Sequence, residues 1–285
     1  MTRHHNPDAP EESAAPRLRV SGVSVGYGDA PIVRDVSLDV PDGALTVLVG
    51  PNGSGKSTLM KAMARVLPVS VGVISLDGCP IQAMPTRKVA RQLALLPQGP
   101  IAPEGLRVRE LVAQGRFPHQ SLLRQWSRRD AEAVDAAMQA ADVIQFADRS
   151  VSDLSGGQRQ RCWIAMVLAQ ETGILLLDEP TTFLDLKVQV DLMLLLRRIA
   201  KEEGRTLVVV LHELNVAAAF ADRLVMMKDG RIVTDGPVES VFTPSALDEV
   251  FGLEANVLRD PASGRPVCVP AVEPVESVAP WLAAQ

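Results

Sequence analysis

Apolar and polar positions alternate along the first fifty residues, which is the pattern of half-buried β-strands. The alternation runs over residues 18–25, pauses at a turn over 26–31 and resumes over 32–40. A Pro-Asp-Gly turn then leads into an apolar run over 44–49, which predicts a third strand. We interpret residues 17–50 as an antiparallel β lobe.

From residue 56 onward the pattern switches between helical and strand periods, which predicts an α/β chain. A helix that begins at Lys56 and runs to about residue 67 is expected to end before Pro68, because proline disfavours helical backbone at the preceding residue. The other elements predicted before residue 100 are a strand pair over 71–81, a helical segment over 86–93 and a buried strand over 93–98.

Between residues 100 and 153 the composition shifts towards Arg, Gln and Ala, and we interpret this stretch as a helical lobe. Apolar residues share one face of a helix predicted over 130–142. Ser127 and Asp130 have the spacing of a capping box at the start of that helix. A second apolar helix is predicted to open after Ser155.

The last part of the chain contains two apolar runs that each end in polar side chains. The pattern over residues 174–180 and 206–213 therefore predicts two buried strands, each with candidate functional side chains at its C-terminal end. The other elements predicted here are a helix over 191–203, a hairpin over 224–236 and short helices over 237–252. Residues 1–16 and 266–285 are expected to be disordered or weakly ordered tails around a domain at 17–265.

Charge and composition narrow the classes of function. The 285 residues carry a net charge of -5, so the overall electrostatics give no reason to bind nucleic acid, and the arginine clusters are interpreted as solvated surface. No apolar run approaches the ~18 residues that cross a bilayer, and the polar N-terminus does not resemble a signal peptide, so we expect a cytoplasmic chain. Cys79, Cys162 and Cys268 lack the spacing of a zinc site or a disulfide framework.

The stretch GPNGSGKST has the spacing of a phosphate-binding loop, and it lies between the strand over 44–49 and the helix at Lys56. Its glycines allow successive backbone N–H groups to point at phosphate oxygens. Lys56 is predicted to reach the β- and γ-phosphates of a nucleotide, Ser57 to bind Mg²⁺, and Thr58 to touch the α-phosphate or cap the helix. The candidate nucleotide-binding residues are Gly50, Pro51, Asn52, Gly53, Ser54, Gly55, Lys56, Ser57 and Thr58.

Asp178 and Glu179 end the first of the two buried strands in the last part of the chain, and His212 ends the second. Paired acids at a strand end are often only a solvated loop, but after a phosphate-binding loop they are predicted to be its acidic partners. Asp178 can hold Mg²⁺, and Glu179 can orient or deprotonate an attacking water. His212 lies at the same predicted edge, where a γ-phosphate sensor is needed.

Together the motifs GPNGSGKST, LLPQ, LSGGQ, ILLLDEP, FLD and LHE, in this order and spacing, resemble the ATP-binding subunits of ABC transporters from about residue 18 to 270. The resemblance implies a P-loop NTPase fold with a RecA-like core, an antiparallel β lobe and a helical lobe. It also implies an ATPase that binds ATP with Mg²⁺ and works as a homodimer. The soluble ABC ATPases that act on nucleic acid or ribosomes remain the alternative from another class, although the chain shows one phosphate-binding loop and no zinc-type cysteines.

The same resemblance assigns further roles. Tyr27 would stack on adenine, and Gln98 would contact the attacking water and Mg²⁺. Asp185 would couple the two sites of a dimer. The residues that would touch the nucleotide of the opposite subunit are Ser155, Gly156, Gly157 and Gln158.

Less general segments narrow the resemblance to bacterial importers of iron(III) siderophores, haem and vitamin B12. They lie at 115–120, 181–197, 211–233 and 250–270. A siderophore is the favoured cargo, with haem or vitamin B12 as alternatives. The implied partners are integral membrane permease subunits and, through them, a periplasmic or lipoprotein substrate-binding protein. The implied place is the cytoplasmic face of the inner membrane.

Overall fold

The computed structural model describes residues 16–28, 30–121 and 126–272, and most of the two predicted tails lies outside these ranges. Within them the strands are β1 Leu18–Tyr27, β2 Ala30–Val40, β3 Leu45–Val49, β4 Val71–Leu76, β5 Cys79–Pro80, β6 Leu93–Leu96, β7 Ile174–Asp178, β8 Thr206–Val210, β9 Arg223–Lys228, β10 Arg231–Pro237, β11 Ala255–Arg259 and β12 Pro266–Pro270. The α-helices are α1 Lys56–Met63, α2 Thr86–Ala90, α3 Val108–Ala113, α4 Arg128–Ala140, α5 Gly156–Ala169, α6 Leu186–Glu202, α7 Leu214–Phe220, α8 Val238–Val241 and α9 Pro244–Phe251. None of the helices in these ranges is long and apolar enough to cross a membrane.

An antiparallel sheet with the strand order β2-β1-β4-β5 forms one layer of the fold. The predicted lobe within residues 17–50 is only partly right, because β3 belongs to a different sheet and β4 and β5 complete this one. The strands differ in how many of their residues are buried. Every residue of β3 is buried and the strand pairs on both sides, whereas β1 and β2 alternate between buried and exposed positions.

A six-stranded sheet with the order β10-β9-β3-β8-β7-β6 forms the core layer. Its strands β9, β3, β8, β7 and β6 run parallel to one another, and β10 pairs antiparallel to β9 at one edge. Parallel strands bring their carboxyl ends to one edge of a sheet, which is where ligands bind in such folds. The phosphate-binding loop, Asp178–Glu179, His212 and Gln98 follow β3, β7, β8 and β6, so the topology gathers them at that edge.

A helical lobe built from α3, α4 and α5 packs beside the core. α3 and α4 lie within the predicted range of 100–153, whereas α5 begins after it at Gly156. The capping box of Ser127 and Asp130 opens α4. Arg116 lies at the centre of this lobe and is fully buried, which corrects the interpretation of arginines as solvated surface. Its guanidinium donates to Asp130 Oδ1 at 2.9 Å, to Glu171 Oε2 at 2.7 Å and to the carbonyl oxygen of Ala169 at 2.7 Å. One side chain therefore ties α4 to the end of α5.

Asp130 shows the electrostatic side of this contact. Burial alone raises the pKa of a carboxyl group, but hydrogen bonds from Ser127 and Arg116 outweigh that effect and hold the pKa of Asp130 below its usual value. The stabilisation from this pair is therefore present above the unfolded-state pKa, about 4, and is lost as the pH falls through the folded-state value.

Replacing Arg116 by Ala is expected to lower the free energy of unfolding by about 3–5 kcal/mol, because Asp130 is left as a buried charge without its cation. Urea unfolding followed by circular dichroism measures the change. Arg128→Ala is the matched control, since the Arg128–Glu132 pair is exposed and is worth about 0.5 kcal/mol or less. Equal effects of the two changes would show that the buried ion pair does not hold the lobe together.

Several element boundaries differ from the predicted ones, and three of them change the picture most. Helix α1 ends at Met63 rather than near residue 67, and α6 begins at Leu186 rather than 191 because Asp185 caps it. The tail predicted from residue 266 contains β12, which pairs with β11 and buries Cys268. The differences at α6 and β12 depend on a cap and on a partner strand that the local pattern does not reveal.

Candidate active site

The phosphate-binding loop passes so close to other backbone that some of its glycines have no substitute. At Gly50, φ is 155° and a Cβ atom would lie 2.1 Å from the carbonyl oxygen of Met227. At Gly55, φ is 97° and a Cβ would lie 3.0 Å from the side chain of Val33. Only glycine adopts such geometry without strain. The loop is therefore held between the core sheet and the β1–β2 layer.

Lys56 is nearly fully buried beneath this loop. Its ammonium group donates to the carbonyl oxygens of Gly50 and Pro51, both at 2.9 Å, and to Ser54 Oγ at 3.3 Å. Burial lowers the pKa of Lys56, although the charges of Glu179 and Asp178 oppose that shift. The sequence thus folds so that one cation is fixed at the centre of the loop.

Ser57 is the second residue of α1, next to Lys56, and faces the end of β7. Its hydroxyl donates to Asp178 Oδ1 at 2.9 Å, and Asp178 is buried. Burial and the neighbouring charge of Glu179 raise the pKa of Asp178, while the hydrogen bond from Ser57 and the nearby lysines lower it. A hydroxyl and a carboxylate oxygen in contact are the donor types that a hard cation such as Mg²⁺ prefers, so this pair fits the metal.

Glu179 is the meeting point of three polar side chains. Gln98 Nε2 donates to Glu179 Oε2 at 2.6 Å, and His212 Nε2 lies 2.6 Å from Glu179 Oε1. Thr182 also donates its hydroxyl to Oε2 at 3.1 Å. The three strand ends that carry Gln98, Glu179 and His212 thus converge on one carboxylate, as the parallel topology requires.

The backbone of Glu179 is in the left-handed region, with φ at 52°. This conformation costs a residue other than glycine about 1–3 kcal/mol, and it persists only where the surroundings impose it. Here it turns the side chain from the end of β7 towards Gln98 and His212.

A cavity of about 530 Å³ lies between the loop and this carboxylate. Its lining residues are Ile32, Asn52, Gly53, Gly55, Lys56, Ser57, Thr58, Gln98, Glu179 and His212. Most predicted loop residues therefore face one space together with three of the four predicted catalytic residues. Sequence reasoning missed Ile32, which lies in β2, and Thr182, whose only signal is its position three residues after Glu179.

Tyr27 is not among the residues that line this cavity. It ends β1, is more than half exposed, and its hydroxyl accepts a hydrogen bond from Lys61 at 3.3 Å. The ammonium group of Lys61 also lies 6.0 Å from the ring centroid. The ring is free to receive a base, but the stacking role remains a prediction.

The LSGGQ segment is also separate from the cavity. Ser155 and Gln158 form a reciprocal capping box, in which Ser155 Oγ accepts from the backbone N–H of Gln158 and Gln158 Oε1 accepts from that of Ser155. The four residues Ser155, Gly156, Gly157 and Gln158 thus open α5 with ordered N–H groups. Asp185 is exposed and caps α6 by accepting from the backbone N–H of Val188 at 2.9 Å.

The chain matches the family model described as ABC transporter over residues 33–182, which is more than half of its length. The chain belongs to the ABC transporter family. This ABC ATPase is 50% identical over 248 residues to the probable siderophore transport system ATP-binding protein YusV of Bacillus subtilis, which covers 87% of this chain and 90% of the relative.

Two further comparisons agree with that assignment. The ABC ATPase is 46% identical over 259 residues to the ferric enterobactin transport ATP-binding protein FepC of Escherichia coli, with 91% and 95% of the two chains covered. A bacterial ABC transporter cassette solved as a dimer superimposes with a TM-score of 0.69 at 27% identity, covering 78% of this chain and 98% of that one. The predicted fold, a P-loop NTPase with a β lobe and a helical lobe, is confirmed.

Proposed function

We propose that this ABC ATPase is the ATP-hydrolysing subunit of a bacterial importer that takes up an iron(III) siderophore across the inner membrane. The observation that carries the hydrolytic part is the Glu179 carboxylate, held by Gln98 and His212 across the cavity from Lys56. The names of the two similar ATP-binding proteins, one for a siderophore and one for ferric enterobactin, support the cargo class.

Hydrolysis needs a group that removes a proton from water and a cation that binds the phosphate being released. Glu179 orients and deprotonates the water, because its carboxylate accepts hydrogen bonds and faces the loop. Lys56 binds the β- and γ-phosphates, and the backbone N–H groups from Gly53 to Thr58 bind the remaining oxygens. His212 contacts the γ-phosphate from the edge of the neighbouring strand, where it also orients Glu179.

Ser57 and Asp178 would hold Mg²⁺, with Gln98 as a third contact. In sites of this kind the ion neutralises charge on the β- and γ-phosphate oxygens. The chain's own contribution is the buried Asp178, which the hydroxyl of Ser57 already orients at 2.9 Å.

A homodimer completes the site in this proposal. Ser155 to Gln158 are exposed or half-buried and outside the cavity. The N–H groups of Ser155 and Gln158 bond within the capping box, so the N–H groups of Gly156 and Gly157 are the ones we assign to a nucleotide held by another copy. Phe183 and Leu186 flank Asp185 and are fully and about two-thirds exposed, which leaves apolar surface for the second copy to cover. The dimer joins membrane permease subunits at the cytoplasmic face, and a periplasmic or lipoprotein binding protein delivers the siderophore to that permease.

Uptake by a deletion strain tests the cargo. Loss of this ATPase is expected to abolish uptake of radiolabelled iron(III) given as a siderophore, because in this proposal its ATP hydrolysis drives the permease. The wild-type gene is expected to restore uptake, and Glu179→Gln is not. Haem and vitamin B12 supplied in parallel are the controls. Loss of haem or vitamin B12 uptake with normal siderophore uptake would replace the proposed cargo by the alternative.

A further inference from the structure

The hairpin of β11 and β12 packs against α7, the helix that directly follows His212. A side chain of α7 bonds to the backbone of β12 in both directions. Asn215 Nδ2 donates to the carbonyl oxygen of Cys268 at 3.1 Å, and the backbone N–H of Cys268 donates to Asn215 Oδ1 at 2.8 Å. The amide of Asn215 therefore pairs with the outer edge of β12 much as a neighbouring strand would.

The hairpin holds the other end of α7 as well. Arg265, just before β12, donates to the carbonyl oxygen of Ala221, the C-cap residue after the helix, at 3.1 Å. Cys268 itself is buried in the same apolar cluster as Val216 and Ala217 of α7. A seven-residue helix is too short to be stable alone, so contacts of this kind determine where it lies.

His212 depends on that placement. On its N-terminal side, the backbone N–H of Leu211 donates to the carbonyl oxygen of Leu48 at 3.1 Å, which anchors the end of β8. On its C-terminal side the first anchor into the hairpin is Asn215, three residues away. The imidazole itself is about one-third exposed, and its Nε2 atom lies 2.6 Å from Glu179 Oε1.

We propose that the C-terminal hairpin fixes the position of His212 against Glu179 by holding α7, and that Asn215 is the positioning residue. The inference rests on the proposed ATPase function and extends it to a residue that bonds to the hairpin and does not line the cavity. A displaced α7 moves His212 and weakens its contact with Glu179, but it leaves the phosphate-binding loop in place. A change at α7 is therefore expected to lower kcat without changing the KM for ATP to the same extent.

The test compares steady-state ATP hydrolysis by the full-length wild type and Asn215→Ala, below the unfolding temperature of each protein. We expect kcat to fall about tenfold and the KM for ATP to change by less than about twofold, because misplacing a group near the reacting atoms lowers turnover without removing binding. Asn215→Asp keeps the size of the side chain and its acceptor but loses the donor to the carbonyl oxygen of Cys268, and it is also expected to lower kcat. It is the second variant if Asn215→Ala does not fold.

Arg259→Ala is the matched control, because Arg259 bonds to Gly264 within the hairpin and not to α7. The decisive readout is the His212→Ala background, in which Asn215→Ala is expected to change kcat by less than about twofold. A similar loss of kcat in both backgrounds, or in Arg259→Ala, would overturn the positioning role and leave the ATPase intact. Absence of hydrolysis by the wild type would overturn the proposed function itself.

Discussion

Replacing Glu179 by Gln is expected to lower ATP turnover by about 10²–10⁴-fold while ATP binding persists, as follows from removing a general base. The amide keeps the size of the side chain but cannot accept a proton from water. Gln98 and His212, which now hold two carboxylate oxygens at 2.6 Å, would face one oxygen and one NH₂ group instead. The hydrogen bonds that Lys56 makes within the phosphate-binding loop do not involve Glu179, so the substitution leaves them in place.

Phosphate release measures the turnover of the variant, and gel filtration with ATP and Mg²⁺ shows whether it still binds ATP and forms a dimer. The variant is expected to elute as a dimer in ATP, because the nucleotide that joins the copies is no longer hydrolysed. Glu249→Gln, an exposed carboxylate on α9, is the control and is expected to behave as the wild type. Turnover near the wild-type rate in Glu179→Gln would remove Glu179 from the role of general base.

Replacing Lys56 by Ala is expected to weaken ATP binding by about 10–100-fold, since each hydrogen bond to a charged group is worth about 1.5–3 kcal/mol. The ammonium group is the cation that the loop holds at its centre, with the carbonyl oxygens of Gly50 and Pro51 at 2.9 Å. Lys56→Arg is expected to fail too, because a planar fork does not replace a compact ammonium between two carbonyls.

Titration with a fluorescent ATP analogue measures the dissociation constant for each Lys56 variant. Lys88→Ala removes an exposed lysine from α2 and is expected to leave the affinity unchanged. A circular dichroism spectrum identical to that of the wild type confirms that the loop variants are folded. An unchanged affinity for ATP in Lys56→Ala would contradict the assignment of this lysine to the phosphates.

The core of the candidate site could be predicted from the sequence because each part of it is local. A loop with fixed glycine spacing follows β3, and two buried strands end in Asp178–Glu179 and His212. Parallel topology then brings these ends to one edge without further information. The structure agrees on the place of these residues, and the roles given to them remain the predictions tested above.

The parts that could not be predicted depend on contacts distant in the chain. Arg116 has the composition of a surface residue, and only the packing of α4 against α5 buries it beside Asp130. The local pattern places β3 in the antiparallel lobe because its neighbours in sequence are there, whereas its partners β8 and β9 lie more than 150 residues later. The sequence of β12 resembles a proline-rich tail, and only its pairing with β11 and its hydrogen bonds to Asn215 make it a strand.

If Glu179 has the proposed role of general base, its left-handed backbone makes stability and catalysis impose opposite demands on one residue. Glycine or asparagine would adopt φ near 52° at lower cost, so selection for stability alone would remove the glutamate from this position. The contacts of the Glu179 carboxylate with Gln98, Thr182 and His212 help to offset this cost. Sequences evolved or designed only for a higher melting temperature would therefore drift towards a stable fold that binds ATP and no longer hydrolyses it.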